Sequence, residues 1–250
     1  MGEKCHRRTP VSQVIVNVLC EGKTEESFAK IVLKKYLEGF GIAVKSRILF
    51  TNKKKNAKGG LISYAQVKND IQSWISEHKK EAYEAHYYTT MFDLYALPND
   101  FPGYEAAFQL HDCYQRVLKL EEEFAKDVNL SGCFIPYIQL HEFEALVFCG
   151  LDYLLIDYPN MTKQIENLKK VVKDYSDNTE KINGSSHTAP SKRIIKELQQ
   201  SYNYDKSHSG VYVTDKVGIE ELKAKCSHFN NWTERLKAVS AQQQPLMRLP

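Results

Sequence analysis

The feature that most restricts the fold of this chain is a predicted strand that ends abruptly at a glutamate. Residues 11–20 (VSQVIVNVLC) are mostly apolar and β-branched, and the run stops at Glu21-Gly22. An amphipathic helical pattern then extends from about residue 27 to residue 38 and ends at Gly39 and Gly41. This succession of strand, break and helix predicts the first unit of an α/β fold.

Similar units recur along the chain. Strand patterns occupy residues 44–50, 85–97 and the start of 131–148, and helical patterns follow at 61–80, at 104–127 and near residue 141. Because strands and helices alternate at roughly 30-residue intervals, we predict a doubly wound, mainly parallel sheet of about four strands flanked by helices.

The pattern changes after Gly150. Residues 160–240 contain helical segments separated by polar loops, without a convincing strand. We therefore predict an α/β domain at 11–150 and a helical C-terminal extension at 151–240 that packs on it. The tails, 1–10 and 241–250, are expected to be flexible.

Composition restricts the location of the protein more than its function. No run of 18 apolar residues occurs, and the opening residues lack the apolar core of a signal peptide, so we expect a cytoplasmic protein without a membrane segment. The six cysteines are scattered without a CxxC pair, which disfavours zinc ribbons and disulfide frameworks. A formal net charge of +3 does not by itself indicate nucleic acid.

Carboxylates stand at three predicted strand ends. Glu21 follows the first strand, Asp93 ends the strand that contains TTMFD, and Glu142 and Glu144 follow the fourth strand. The carboxyl ends of parallel strands lie on one edge of a sheet, so these acids are expected to converge. Clustered carboxylates repel one another unless a cation neutralises them, which predicts bound Mg²⁺ or Mn²⁺.

Each acid also has a structural explanation. Glu21 could cap the next helix, Asp93 and Asp100 could be turn acids, and the pair Glu142 and Glu144 could be first-turn helix acids. Their coincidence at topologically equivalent strand ends favours a shared site.

Basic residues and one histidine are candidates for contacts around these acids. Lys192 and Arg193 begin a helix after Pro190, where a phosphate would be favoured, although such basic runs are commonly solvated surface. His141 adjoins the acids and is either a hydrogen-bond donor behind them or a structural residue. The other candidates for nucleic-acid binding are Lys23 and the lysines of TNKKKNAKGG, namely Lys53, Lys54, Lys55 and Lys58.

Several segments resemble a known family. The strand-Glu-Gly-x-Thr-Glu pattern resembles the first motif of Toprim domains, the metal-binding fold shared by topoisomerases, primases, recombination-mediator proteins and overcoming-lysogenization-defect nucleases. More specifically, five segments of the chain resemble the Toprim-like family known as domain of unknown function 4276. They occur in the same order as in that family, from residue 14 to about residue 237. The segments are CEGKTEESF, TTMFDLYALPNDFPGYEAA, PYIQLHEFEALVF, NGSSHTAPSKRI and VGIEELKAKCSHFNNW.

This resemblance implies a Rossmann-like Toprim sheet in which Glu21 performs acid-base chemistry or holds metal. The second Toprim motif is normally Asp-x-Asp, but this chain has Asp93-Leu94-Tyr95 and lacks the second aspartate. Asp100 could replace it, or one acid of HEFEAL could, since the spacing of Glu142 and Glu144 lets only one of them face an ion from a helix.

The leading functional hypothesis is a metal-dependent nuclease, with Asp93 and a HEFEAL acid as ligands and Glu21 as a ligand or general base. Families that resemble this chain often accompany an ABC-type ATPase in bacterial defence against phage. No GxxxxGKS/T motif occurs here, so ATP use would require that partner. The alternatives are a non-catalytic module with a degenerate metal site that binds nucleic acid or the partner, and a phosphoryl-transfer enzyme that acts on nucleotides.

Overall fold

The protein is built around a parallel sheet. The structure, a computed structural model, describes residues 13–49, 63–78, 83–130, 132–183, 188–199 and 202–241. All strand pairs in this part of the chain are parallel, and the spatial order is β2-β1-β3-β4, with β5 also paired to β3. The strands are β1 (Gln13–Cys20), β2 (Ile42–Ile48), β3 (Glu84–Asp93), β4 (Phe134–Ile135) and β5 (Ile138–Gln139).

Helices occupy most of the remaining described residues. In the first half they are α1 (Lys23–Phe28), α2 (Lys34–Glu38), α3 (Tyr64–His78), α4 (Tyr104–Phe108) and α5 (Cys113–Val128), with a π-helical turn (Ala29–Leu33) joining α1 to α2. In the second half they are α6 (Glu144–Val147), α7 (Thr162–Asp174), α8 (Pro190–Leu198), α9 (Val211–Val217), α10 (Ile219–Lys225) and α11 (Ser227–Ala238). Short 3₁₀ segments (Leu94–Ala96, Phe148–Ile156, Thr179–Lys181) and a second π-helical turn (Lys206–Gly210) connect them.

The central strand β1 is buried on both faces, which explains its continuous apolar sequence. Val16, Val18 and Cys20 pack on one side, and Leu19 packs on the other. The face that contains Leu19 is covered by α3 and α5, for example by Trp74 of α3. The face that contains Val16, Val18 and Cys20 is covered by α1, α2 and the helices of the C-terminal half. Helices on both faces of a parallel sheet make this a doubly wound α/β fold.

Proline interrupts the edge of the sheet. Between β4 and β5 lies Pro136, which has no N–H to give to a ladder, and the pairing with β3 stops there. The hydroxyl of Thr90 bridges the gap, accepting from Tyr137 N and donating to Tyr137 O at 3.0 Å each. The fourth strand position is therefore occupied by two short strands, and the second ends one residue before the HEFEAL segment.

These elements confirm the predicted α/β class, the parallel sheet and the helical C-terminal part. The predicted helix at 104–127 is divided in two, because the Asp112 carboxylate accepts the Gln115 N–H at 2.8 Å and so begins a new helix. No helix in the described part of the chain is both long and apolar enough to cross a bilayer. The domain boundary at 150/151 stays a prediction, and both tails that were expected to be flexible lie largely outside the described residues.

Candidate active site

The carboxyl ends of β1 and β3 bring the first two predicted acids into contact. Cys20 is paired with Met91, so the next residues along each strand, Glu21 and Phe92-Asp93, lie side by side. The carboxylate of Glu21 accepts the backbone N–H of Asp93 at 3.1 Å. Glu21 in turn donates its own N–H to the carbonyl of Met91 at 3.3 Å. The convergence predicted from the parallel topology is thus present.

A lysine lies among these acids. This lysine is Lys206, and its Nζ is 3.0 Å from Oε2 of Glu144 and 3.5 Å from Oδ2 of Asp93. Glu144 begins α6 and its side chain is wholly buried, while Lys206 opens the π-helical turn before α9. The ion pairs join β3, α6 and the C-terminal half at one point, and the lysine partly neutralises the buried negative charge.

Two further carboxylates belong to the same electrostatic cluster. Glu25, on α1, is buried and accepts the N–H of Gly22 at 3.0 Å, which closes the first turn of the helix. Glu142 precedes α6 and accepts the N–H of Ser191, in the first turn of α8, at 2.9 Å. The negative charges of Glu25 and Glu142 both act on Glu21.

Burial and mutual repulsion raise the pKa values of these acids. Burial, with a smaller effect of Glu142, raises the pKa of Glu144 to about 7, although Lys206 opposes the change. Burial and the charge of Glu25 raise the pKa of Glu21 to about 7 as well. The pKa of Asp93 is raised well above its usual range by burial, against the effect of Lys206. Glu21 and Glu144 therefore titrate near neutral pH, the range that suits a general acid or base.

The donor chemistry of the cluster fits a hard divalent cation. Asp93 Oδ1 and Glu144 Oε1 are buried and have no hydrogen-bond partner among the described residues. Buried carboxylate oxygens without partners are costly, and they are the ligands that Mg²⁺ and Mn²⁺ prefer. In the described ranges, however, no three His, Cys, Asp or Glu side chains form a ready-made metal shell. An ion would therefore share these oxygens with Lys206 or displace its ammonium.

His141 lies beside the cluster in a strained conformation. Its φ is +62°, which is uncommon for a residue with a Cβ, and its carbonyl accepts the N–H of Tyr95 at 3.2 Å. Both ring nitrogens are buried without a hydrogen-bond partner in the part of the chain that the structure describes. Burial, together with the charge of Arg116, lowers the pKa of His141 to about 4, so the ring is neutral at pH 7. The ring of Tyr95 lies 5.2 Å away, centroid to centroid.

None of the remaining candidates that the structure describes forms a hydrogen bond or ion pair with Glu21, Asp93 or Glu144. Asp100 is exposed, and both of its oxygens accept the N–H of Tyr64 at 3.0 and 3.1 Å, at the start of α3. Lys23 is exposed on the first turn of α1. Lys192 is exposed at the start of α8, and Arg193 donates to the carbonyls of Thr188 and Asn183 at 2.7 and 3.2 Å. Lys53, Lys54, Lys55 and Lys58 lie outside the described residues.

Two members of the cluster were missed by reasoning from the sequence. Glu25 lies four residues after Glu21 within CEGKTEESF, and this closeness to the first strand end is the signal that could have identified it. Lys206 lies in the polar segment SYNYDKSHSG, which carries no signal of its position in space. Its contact with Asp93 joins residues 113 positions apart.

Comparisons with known proteins identify a family and a distant structural likeness. The model of the family described as domain of unknown function (DUF4276) matches residues 20–237. The C-terminal region of the Burkholderia pseudomallei OLD protein is similar at 15% identity and a TM-score of 0.42, covering 90% of this chain and 98% of that one. The C-terminal region of the Xanthomonas campestris pv. campestris OLD protein gives 12% identity and a TM-score of 0.40, covering 91% and 94%. No curated protein matches the chain.

Proposed function

The chain belongs to the family described as domain of unknown function (DUF4276), and from this premise we propose that it is a divalent-metal-dependent nuclease that cleaves phosphodiester bonds of nucleic acid. One observation carries the proposal. Buried carboxylates from β3 and α6 pair with a single lysine, and the carboxylate that follows β1 accepts the backbone N–H of Asp93 beside them, at the carboxyl edge of a parallel sheet, where α/β proteins bind their ligands.

The residues divide the chemistry between them. Asp93 and Glu144, with their free oxygens, are the proposed ligands of Mg²⁺ or Mn²⁺, and Glu142 supports them from the N-terminal side of α6. Glu21, whose pKa is near 7, is the proposed proton acceptor for the attacking water. Lys206, whose ammonium lies 3.0 Å from Glu144 and 3.5 Å from Asp93, is the proposed contact for a non-bridging phosphate oxygen.

The metal supplies neutralisation of the phosphate and acidification of a water molecule. Binding of the nucleic-acid backbone falls to cations that surround the acids. Lys192 and Arg193 adjoin the cluster through the contact between Glu142 and Ser191. We retain Lys23 and the lysines of residues 53–58 in this role as predictions. We also keep His141 in the role of a hydrogen-bond donor to groups near the acids, because both of its ring nitrogens are buried without a partner in the described ranges.

The biological setting is part of the proposal. The resemblance to Toprim-like families implies a cytoplasmic effector of defence against phage that works with an ABC-type ATPase. Because the sequence contains no phosphate-binding motif of the GxxxxGKS/T type, ATP hydrolysis is assigned to that partner.

A cleavage assay tests the catalytic proposal. Plasmid DNA and RNA are incubated with the purified chain, alone and with a candidate ATPase, in Mg²⁺, in Mn²⁺ and in EDTA. Cleavage should require the metal and should fall by at least about 100-fold in Glu21→Gln and Asp93→Asn. Glu38→Gln, an exposed acid on α2, is the matched control and should cleave normally. Metal-independent cleavage, or full activity in Asp93→Asn, would contradict the proposal.

A second function is favoured by one observation. Tyr95 stands where Toprim domains have their second aspartate, and its hydroxyl donates to the side chain of Asn183. A degenerate metal site of this kind suits a module that binds nucleic acid or a partner without cleaving. That function predicts binding to oligonucleotides that survives Glu21→Gln and Asp93→Asn, with no cleavage in any metal. Hydrolysis of free nucleotides would instead indicate a phosphoryl-transfer enzyme.

A further inference from the structure

A groove between α7 and α8 carries positive charge. One stretch of it is lined by Lys192, Arg193 and Lys196 and has a volume of about 150 Å³. The next stretch is lined by Lys163 and Lys196 and has a volume of about 340 Å³. Both stretches share Lys196, Asn167 and Glu197, so they form one continuous groove along the two helices.

The cations of this groove have no anionic partners within it. Lys163, Lys192 and Lys196 are exposed and form no ion pair with any described residue. The acid that lines the groove, Glu197, accepts from the amide of Asn167 at 3.2 Å across the two helices. Lysines in intramolecular pairs have less positive charge to offer a ligand, whereas these three remain available to one.

The groove adjoins the acidic cluster through two sets of contacts. Ser191, beside Lys192 at the start of α8, donates its N–H to Glu142 at 2.9 Å. Arg193 donates to the carbonyl of Asn183 at 3.2 Å, and the side chain of Asn183 accepts from the hydroxyl of Tyr95. The ring of Tyr95 is 39% exposed, so an aromatic face is accessible where the groove meets the cluster.

We propose that the α7–α8 groove binds one strand of a nucleic acid whose neighbouring phosphate lies at the acidic cluster. Lys163, Lys192 and Lys196 contact successive phosphates, and Tyr95 offers its ring to a base at the junction. The axes of packed helices lie about 8–10 Å apart, and we assign the groove between these two helices to one backbone rather than to a duplex. This inference rests on the proposed function for its ligand class, but its test measures binding instead of cleavage.

The test compares two double variants that lose the same charge. Lys163→Gln with Lys196→Gln alters the groove, and Lys34→Gln with Lys35→Gln alters exposed lysines of α2. Binding of a labelled single-stranded oligonucleotide and of the corresponding duplex is followed by fluorescence anisotropy, in EDTA, across a salt series. Circular dichroism checks that both variants remain folded.

The expected result is specific to the groove and to single strands. Each lost phosphate contact reduces the steepness of a plot of log K, the association constant, against log salt concentration by about 0.7. The steepness for the groove variant should therefore fall by about 1.4, and its binding should be about 25-fold weaker at 0.1 M salt. The α2 variant should bind like the unmodified chain. Equal weakening in both variants, or a groove variant that binds normally, would overturn the inference, as would preference for the duplex.

The two proposals can fail separately. Metal-dependent cleavage together with normal binding by the groove variant would leave the nuclease assignment intact and remove the groove. Binding that depends on Lys163 and Lys196 without any cleavage would support the groove and remove the nuclease assignment.

Discussion

Replacing the wholly buried Glu144 with glutamine should change how the stability of the protein depends on pH. The glutamine has nearly the same shape but cannot ionise. In the native protein, burial holds the pKa of Glu144 at about 7, whereas in the unfolded chain it has the ordinary value of 4.5. Between these two pH values the folded state binds more protons than the unfolded state, so the free energy of unfolding falls as pH rises.

The size of the effect follows from the shift. A difference of about 2.5 pKa units, at 1.36 kcal/mol per unit, corresponds to about 3 kcal/mol. Glu144→Gln lacks this cost, but it also loses the ion pair with Lys206 at every pH at which the acid is charged. Because the pKa already includes the effect of Lys206, the stability of the variant relative to the wild type should improve by about 3 kcal/mol from pH 4.5 to pH 8.

Urea unfolding measures this directly. Trp74 and Trp232 are both buried, so their fluorescence reports unfolding, and EDTA keeps divalent ions away from the cluster. The matched control is Glu38→Gln, an exposed acid 3.8 Å from Lys34, whose difference from the wild type should vary by no more than about 0.5 kcal/mol over the same range. Parallel pH curves for Glu144→Gln and the wild type would refute the reasoning, and so would a variant that loses relative stability as pH rises.

Three other substitutions test the packing and the charges around the sheet by the same unfolding assay. Trp232→Phe removes the N–H that Thr89 Oγ1 accepts at 2.8 Å and should cost about 1–3 kcal/mol; a neutral result would mean that the bond contributes nothing. Gly150→Ala places a Cβ 2.2 Å from Cγ2 of Val217 and should cost about 1–3 kcal/mol; an unchanged stability would contradict this and mean that the 3₁₀ segment shifts to accommodate the methyl group. Burial alone would lower the pKa of His228, but the charge of Glu121 and its contact with Nε2 at 3.0 Å raise it above 6.5. This pair therefore stabilises the fold below pH 6.5 and loses its effect as pH rises through the raised pKa, so the deficit of His228→Gln should shrink as pH rises above about 6.5.

The acidic edge could be predicted from the sequence because it depends on strand direction. Once alternation of strands and helices indicates a parallel sheet, the residues that follow β1 and β3 must lie on one edge, and the contact of Glu21 with Asp93 follows. The resemblance of PYIQLHEFEALVF to its family indicated the HEFEAL acids as further members of this edge. Local patterns carried this information for Glu21 and Asp93, since Glu21 directly follows β1 and Asp93 ends β3, and the apolar residues of both strands reveal them.

The lysine at the centre of the cluster could not be predicted in this way. Lys206 lies in a polar segment after α8, and its position depends on how the C-terminal helices pack against the sheet, for example through Phe229 and Trp232. Packing between distant segments leaves no periodic trace in a single sequence. For the same reason the sequence predicted an anionic site for a metal but not a site in which a lysine already neutralises part of the charge.

The π-helical turn that carries Lys206 makes the site sensitive to the length of the chain. Such a turn contains one residue more than an ordinary helical turn of the same span. Losing a single codon between Lys206 and Gly210 would restore regular pitch and rotate the ammonium by about 100° about the helix axis, away from Asp93 and Glu144. The anchors of α9, Val211 and Val213, would stay buried. A deletion in this segment would therefore remove the ion pairs of Lys206 with Asp93 and Glu144 while leaving the buried core in place.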